Sequence, residues 1–118
     1  MRAPDWLTAR PVAHRGLHDI ARGIVENMPA AAQGCGVNVL AQVKAALGDL
    51  DKVVRVVRLG GFVNSAPDYF DGPKVLNGAS DLMVAAFGDK GRHARTTVGV
   101  ASLPSDAAVE VEGLFEVA

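Results

Sequence analysis

The stretch that decides the fold is Lys52-Val53-Val54-Arg55-Val56-Val57-Arg58-Leu59, which continues through Gly61-Phe62-Val63. Its β-branched residues are typical of a strand, because branched side chains pack well on a pleated surface. It is also the longest apolar run, and Arg55 and Arg58 interrupt it, so no segment approaches the length of a membrane span. We therefore predict a strand here and interpret its flanks relative to it.

A helix is predicted on each side of this strand. Apolar residues recur at three- and four-residue intervals from Pro29 to Leu47 and again from Val75 to Phe87. A glycine follows each segment, as is common where helices end. Gly34 and Gly36 lie inside the first stripe and weaken that helix by up to about 1 kcal/mol each relative to alanine. They indicate a junction or a tight packing site near residue 35.

Two more strands are predicted, over Ala94 to Leu103 and over Ala107 to Val117, where apolar residues alternate with glutamates. Short extended pieces are expected earlier, at Pro11 to Ala13 and at Gly23 to Val25. The order predicts an α/β (α+β) fold, a single domain over 1–118 in which one mixed sheet carries both helices on one face. The other sheet face needs cover, and self-association is the natural way to supply it.

Composition narrows the class of protein. Of the 118 residues, 49% are apolar and 21% charged, which excludes a disordered chain. A net charge of −1 gives no electrostatic argument for nucleic acid or an anionic membrane surface, so small-molecule or protein partners are expected. Cys35 is the only cysteine, which rules out an intramolecular disulfide. The first residues do not form a secretory signal, so a cytoplasmic protein is expected.

The C-terminal part carries a specific pattern. His93-Ala94-Arg95-Thr96-Thr97-Val98-Gly99-Val100-Ala101-Ser102-Leu103-Pro104, followed by Ala108-Val109-Glu110-Val111-Glu112, resembles the signature of the reactive-intermediate deaminase (Rid, formerly YjgF) family. The similarity extends upstream over residues 34–118. The family's opening hairpin, which lines its cleft, is not recognisable in this chain.

The resemblance implies a fold, an assembly and an activity. Members of the family are trimers with a chorismate-mutase-like fold and sites in the clefts between subunits. The implied reaction is hydrolysis of 2-imino acids to 2-keto acids and ammonia, without a cofactor. The family's carboxylate-binding arginine falls on Arg95 and its water-orienting glutamate on Glu110. Taken singly, Arg95 could equally be a surface ion pair, and Glu110 a solvated residue of an alternating strand.

Residues 1–33 resemble a different family. The stretch from Arg10 to Asp19, followed by Gly23-Ile24-Val25-Glu26-Asn27, is similar to the opening of glycerophosphodiester phosphodiesterases. The resemblance makes His14 an acid/base histidine, Arg15 a phosphate contact and Glu26 a metal ligand. It implies a fusion near Gln33 to Gly36, in which this segment replaces the missing N-terminal strands.

Two interpretations of this segment remain open. In one, Pro11 to His14 only restores a strand at the sheet edge. In the other, the segment retains a zinc or manganese site that activates water against a phosphoester. The side chains suited to such a site are His14, His18, Asp19 and Glu26.

Three function hypotheses follow. The first is a cofactor-free imine deaminase using Arg95 and Glu110, and the second is a metal-dependent phosphoester hydrolase using the N-terminal histidines and carboxylates. The third is a non-catalytic oligomeric scaffold or small-ligand-binding protein, since a fold alone does not establish an activity. Cys35 is either a nucleophile or a small core residue, and His93 either helps bind an anion or is an ordinary surface histidine.

Overall fold

The computed structural model describes residues 6–9 and 28–118. The helices and strands, in chain order, are β1 (Trp6–Ala9), α1 (Met28–Leu47), β2 (Val53–Asn64), α2 (Gly72–Phe87), β3 (Ala94–Val100) and β4 (Val109–Val117). Short 3-10 turns precede β2, β3 and β4, at Leu50–Lys52, Gly88–Gly91 and Pro104–Asp106. None of the helices in these ranges is long and apolar enough to cross a membrane.

The four strands form one sheet in the order β1-β4-β2-β3. The pair β2–β3 is parallel and is joined through α2, whereas β4 runs antiparallel to both β1 and β2. A parallel pair needs a long crossover, which explains why a helix lies between β2 and β3 in the sequence. The predicted mixed sheet with two helices is therefore confirmed.

The core lies between the two helices and one face of the sheet. Alternate residues of β4 are buried, and they join buried residues of β2, α1 and α2 in one hydrophobic cluster. The largest fully buried side chains include Phe115, Leu59, Leu76 and Met83. Because both helices pack on this face, the opposite sheet face presents the glutamates of β4, which are only partly exposed.

The helices α1 and α2 cross in close contact. A Cβ atom on Gly78 would lie 1.9 Å from the carbonyl oxygen of Pro29, and one on Gly36 would lie 3.0 Å from Leu82 Cδ2. The predicted tight packing site near residue 35 is therefore present. The predicted fusion junction at Gln33 to Gly36 leaves no break, because α1 runs through these residues without interruption.

The predicted boundaries differ from the structure mainly at the N-terminus. The edge strand next to β4 is Trp6–Ala9, earlier than the strand expected at Pro11 to Ala13, and its sequence has no alternation that predicts it. The pieces expected at Pro11 to Ala13 and Gly23 to Val25 lie outside the described residues. Elsewhere each predicted helix and strand is present with ends shifted by a few residues.

Candidate functional site

The strand register places Arg95 and Glu110 in two different rows of the sheet. Arg95 of β3 is paired with Leu59 of β2, which in turn is paired with Gly113 of β4. Glu110 of β4 is paired with Phe62 of β2. The two rows are three residues apart along β2, which corresponds to about 10 Å.

Arg95 and Glu110 project from opposite faces of the sheet. Side chains alternate along a strand, so positions three residues apart point to opposite sides, and the register shifts of β2 all precede Arg58. Leu59 is buried beneath the helices, which puts Arg95 on the helix side. Glu110 lies on the open face with Phe62. One subunit therefore does not bring the two predicted residues together.

Arg95 is held at the start of β3 by a side chain of α2. Its Nη1 donates a hydrogen bond to Ser80 Oγ at 3.1 Å, and His93 Nε2 lies 2.9 Å from the same oxygen. Sequence reasoning missed Ser80, because a serine inside a helix carries no signal of its own. The contact exists only because the β2–α2–β3 connection lays the strand beside the helix.

The Arg95 guanidinium opens onto a shallow hollow of about 290 Å³. Its lining residues are mostly polar or charged, and they are Asn77, Ser80, Asp81, Arg92, His93 and Arg95 together with the apolar Val84. Within the described residues, no carboxylate lies within ion-pair distance of Arg95. The exposed guanidinium is therefore available to an incoming anion, and a planar fork of N–H donors is suited to a carboxylate.

Glu110 has a different setting on the open face. Two neighbouring glutamates of β4 form ion pairs with β2, Glu112 with Arg58 at 3.2 Å and Glu116 with Arg55 at 2.7 Å. Glu110 itself has no ion pair among the residues that the structure describes. Its partly exposed carboxylate is thus chemically available for orienting or deprotonating water.

Cys35 is a core residue. It is fully buried in the middle of α1, and its Sγ lies 3.6 Å from the carbonyl oxygen of Val109. Burial, with a further contribution from the charge of Glu110, raises the pKa of the thiol to about 11. A neutral, inaccessible thiol is a poor nucleophile. Of the two interpretations offered by the sequence, the structural one is supported.

A second hollow lies at the other end of β3, beside the loop that follows β2. It measures about 360 Å³, and its lining includes Ser65, Tyr69, Phe70 and Gly99. Phe70 is 84% exposed. The side chain of Asn64 does not enter this hollow, because it donates hydrogen bonds to Asp106 Oδ1 and to the carbonyl oxygen of Ala107.

The predicted metal ligands His14, His18, Asp19 and Glu26 lie outside the described residues, as does Arg15. Over the ranges 6–9 and 28–118, no group of three or more histidine, cysteine or acidic side chains could hold a metal ion. The proposed zinc or manganese site therefore receives no support from this part of the chain.

Comparison with known proteins places these features in one family. A profile described as "YjgF/chorismate mutase-like, putative endoribonuclease" matches residues 15–116. A solved protein of unknown function from Agrobacterium tumefaciens, Atu1372, is 39% identical, with a TM-score of 0.85 over 100% of this chain and 80% of its own. RidA from the Antarctic bacterium Psychrobacter sp. PAMC 21119 has the same fold at 23% identity, with a TM-score of 0.62 over 99% of this chain and 85% of its own.

A curated relative, Protein TCP17 of Trypanosoma cruzi, is 57% identical over 88 residues. That match covers 74% of this chain and 55% of the relative, so the chain spans only about half of that protein. The profile begins at residue 15, inside the segment that resembles a phosphodiesterase. Neither the profile nor the relatives named here are described as phosphodiesterases, so the predicted fusion gains no support.

Proposed function

The chain belongs to the YjgF/chorismate mutase-like family, and from this premise we propose that it hydrolyses 2-imino acids to 2-oxo acids and ammonia in clefts between the subunits of a homotrimer. The observation that carries the proposal is the exposed guanidinium of Arg95, which a neighbouring side chain holds and which no described carboxylate neutralises. The small net charge of −1 favours a small anion over a nucleic-acid substrate.

Arg95 binds the carboxylate of the substrate in this mechanism. Two parallel N–H···O bonds from one guanidinium orient the 2-imino acid as well as holding it. The neighbouring carbon then lies at a fixed position relative to the strand. Orientation of this kind lowers the barrier, because the water needs to approach only one carbon from one direction.

Glu110 activates the attacking water molecule in this mechanism. Its carboxylate accepts a proton from a water molecule as the water oxygen bonds to C2 of the imine. The proton held by Glu110 passes to the imine nitrogen and gives an amino alcohol. As the C–N bond of this amino alcohol breaks, its hydroxyl proton passes through Glu110 to the nitrogen, so that ammonia leaves and the C2 carbonyl forms. The sum is one imine and one water converted to one 2-oxo acid and one ammonia.

A site built in this way needs two subunits. Because Arg95 and Glu110 project from opposite faces of one sheet, a cleft that uses both takes each from a different copy of the chain. The open sheet face supports such an assembly, since both helices cover only the other face. Burying this face against further copies also adds to the stability of a core built from small side chains.

The test is hydrolysis of a 2-imino acid released in the assay by an amino acid oxidase, with ammonia release as the readout. Arg95→Ala is expected to lower kcat/KM about 100-fold or more, because it removes charge-assisted hydrogen bonds to the substrate. Lys90→Ala, which removes an exposed cation just before β3, is the matched control and should have little effect. Equal rates for wild type and Arg95→Ala would refute the proposal.

The second half of the test concerns the water-activating group. Glu110→Gln keeps the size of the side chain and removes its basicity, so a loss of about 100-fold or more in kcat is expected. Glu116→Gln changes the same strand on the same sheet face and should retain activity. Loss in both variants would instead indicate that the open face matters only for assembly.

A further inference from the structure

Ser80 and His93 link Arg95 to the backbone through a continuous set of contacts. Arg95 Nη1 lies 3.1 Å from Ser80 Oγ, and Ser80 Oγ lies 2.9 Å from His93 Nε2. The other ring nitrogen, His93 Nδ1, contacts the carbonyl oxygen of Gly91. Four groups from the helix, the turn and the strand are thus connected in one line.

For a neutral His93 ring, the chemistry of these groups sets the direction of each hydrogen bond. A carbonyl oxygen only accepts, so His93 Nδ1 carries the proton and donates to Gly91. In the neutral ring Nε2 is then the acceptor, and the Ser80 hydroxyl donates to it. Ser80 Oγ in turn accepts from the Arg95 guanidinium. Every donor points the same way along the line, an arrangement in which hydrogen bonds strengthen one another.

Two members of this line, Ser80 and Gly91, are fixed by the packing of the helix and the turn. Ser80 follows the fully buried Ala79 on α2. Gly91 is buried as well, and a Cβ atom there would lie 2.2 Å from the carbonyl oxygen of Met83, so the turn before β3 packs directly on α2. The serine and the histidine are therefore held by the helix and the turn, independently of Arg95.

We propose that Ser80 and His93 are positioning residues, which hold one edge of the Arg95 guanidinium so that its remaining N–H donors face the hollow where a substrate carboxylate binds. This inference rests on the proposed function. A long, exposed arginine otherwise loses rotamer freedom when it binds a ligand. Here that loss occurs when the protein folds, so binding is tighter by roughly 3- to 10-fold.

Two histidine variants separate the contacts. In His93→Gln the side-chain amide oxygen reaches the region of Nε2 and accepts from Ser80. In His93→Asn the shorter amide matches only Nδ1, so it bonds to Gly91 and leaves Ser80 without an acceptor. Ser80→Ala removes the hydroxyl itself, whereas Ser80→Thr keeps a hydroxyl at the same position. All four variants leave the Arg95 guanidinium itself unchanged.

The measurement is calorimetric binding of pyruvate, a product-like 2-oxo acid, to the intact oligomer, with uncharged pyruvamide as the control ligand. Ser80→Ala and His93→Asn are expected to weaken pyruvate binding roughly 3- to 10-fold and to raise KM by the same factor with little change in kcat. Ser80→Thr and His93→Gln are expected to stay within about twofold of wild type. Pyruvamide binding should be unaffected throughout.

Three other outcomes would overturn either the positioning role or the proposed carboxylate site. If Arg95→Ala weakens pyruvate binding but Ser80→Ala and His93→Asn do not, the positioning role is overturned and the proposed function stands. If His93→Gln loses as much as His93→Asn, the imidazole acts other than through its acceptor nitrogen, and the inference fails. If Arg95→Ala binds pyruvate as wild type does, the proposed carboxylate site itself is wrong.

Discussion

Arg95 and Glu110 lie on opposite faces of one sheet, in rows that are three residues apart along β2. In the proposed mechanism, this relationship means that neither residue completes the site within its own subunit. It also allows a test of the proposed oligomer that requires no structure of it, because two different inactive variants can complement each other in a mixed oligomer.

Mixing Arg95→Ala and Glu110→Gln subunits should restore activity. Each variant is expected to be inactive alone, but a cleft formed by Arg95 from one and Glu110 from the other is intact. With equal, random mixing in a cyclic oligomer, about a quarter of the clefts are intact. Co-refolding the two variants and measuring imine hydrolysis checks this. Persistent inactivity of mixed oligomers would place both residues in one subunit's site.

Replacing Gly78 by alanine should destabilise the protein strongly. The new Cβ atom would lie 1.9 Å from Pro29 O, so the helices α1 and α2 must separate. Overpacking of this kind costs about 1–3 kcal/mol or more, despite the better helix propensity of alanine. Urea unfolding measures the loss. Asn77→Ala, at the adjacent exposed position of α2, is the control, and an equal effect there would contradict the packing argument.

Cys35 should make stability fall at alkaline pH. The pKa of its thiol is raised from 9.0 to about 11, so the folded state favours the neutral form. Its contribution is complete below pH 9 and is lost as the pH rises from 9 towards 11, up to about 3 kcal/mol in total. Unfolding free energies measured from pH 8 to 11 for wild type and Cys35→Ala check this. A pH dependence that is the same in both proteins would contradict it.

Ser105→Gly should leave the protein as stable as before or stabilise it. Ser105 and Asp106 both have left-handed backbone angles, with φ of 57° and 54°, in the turn before β4. Glycine adopts this conformation without the steric cost of about 1 kcal/mol that a Cβ atom carries. Ser102→Gly, in the loop a few residues earlier, is the control and should destabilise by about 0.4–1 kcal/mol, because glycine raises the entropy of the unfolded chain. Thermal unfolding of both variants distinguishes the two effects.

The fold was largely predictable because its signals are local. The β-branched run that became β2 and the helical stripes of α1 and α2 each identify an element without reference to the others. Among the described elements only β1 was not predicted, since four residues without alternation acquire a strand conformation from pairing with β4. Because β1 pairs with residues more than a hundred positions away, the sequence of β1 alone does not indicate that it forms a strand.

The candidate site was predictable only in part. Arg95 and Glu110 were identified from a motif, but their placement on opposite faces follows from the strand register, which depends on where the bulges of β2 fall. Ser80 and His93 come together through the β2–α2–β3 connection. A single serine within a helical segment gives no sequence signal for such a contact. The resemblance of residues 10–27 to a phosphodiesterase stays a prediction, because those residues lie outside the described ranges.

The inner position of β4 in the sheet also affects how the chain folds. This strand follows every other element in the sequence, yet it pairs with both β1 and β2, and Trp6 is matched with Glu116. The helices and the β2–α2–β3 unit can form from neighbouring residues, whereas the sheet closes only through contacts of long sequence separation, which form slowly. Until then the buried faces of β2 and both helices are exposed, so this interval is when the protein is most prone to aggregate.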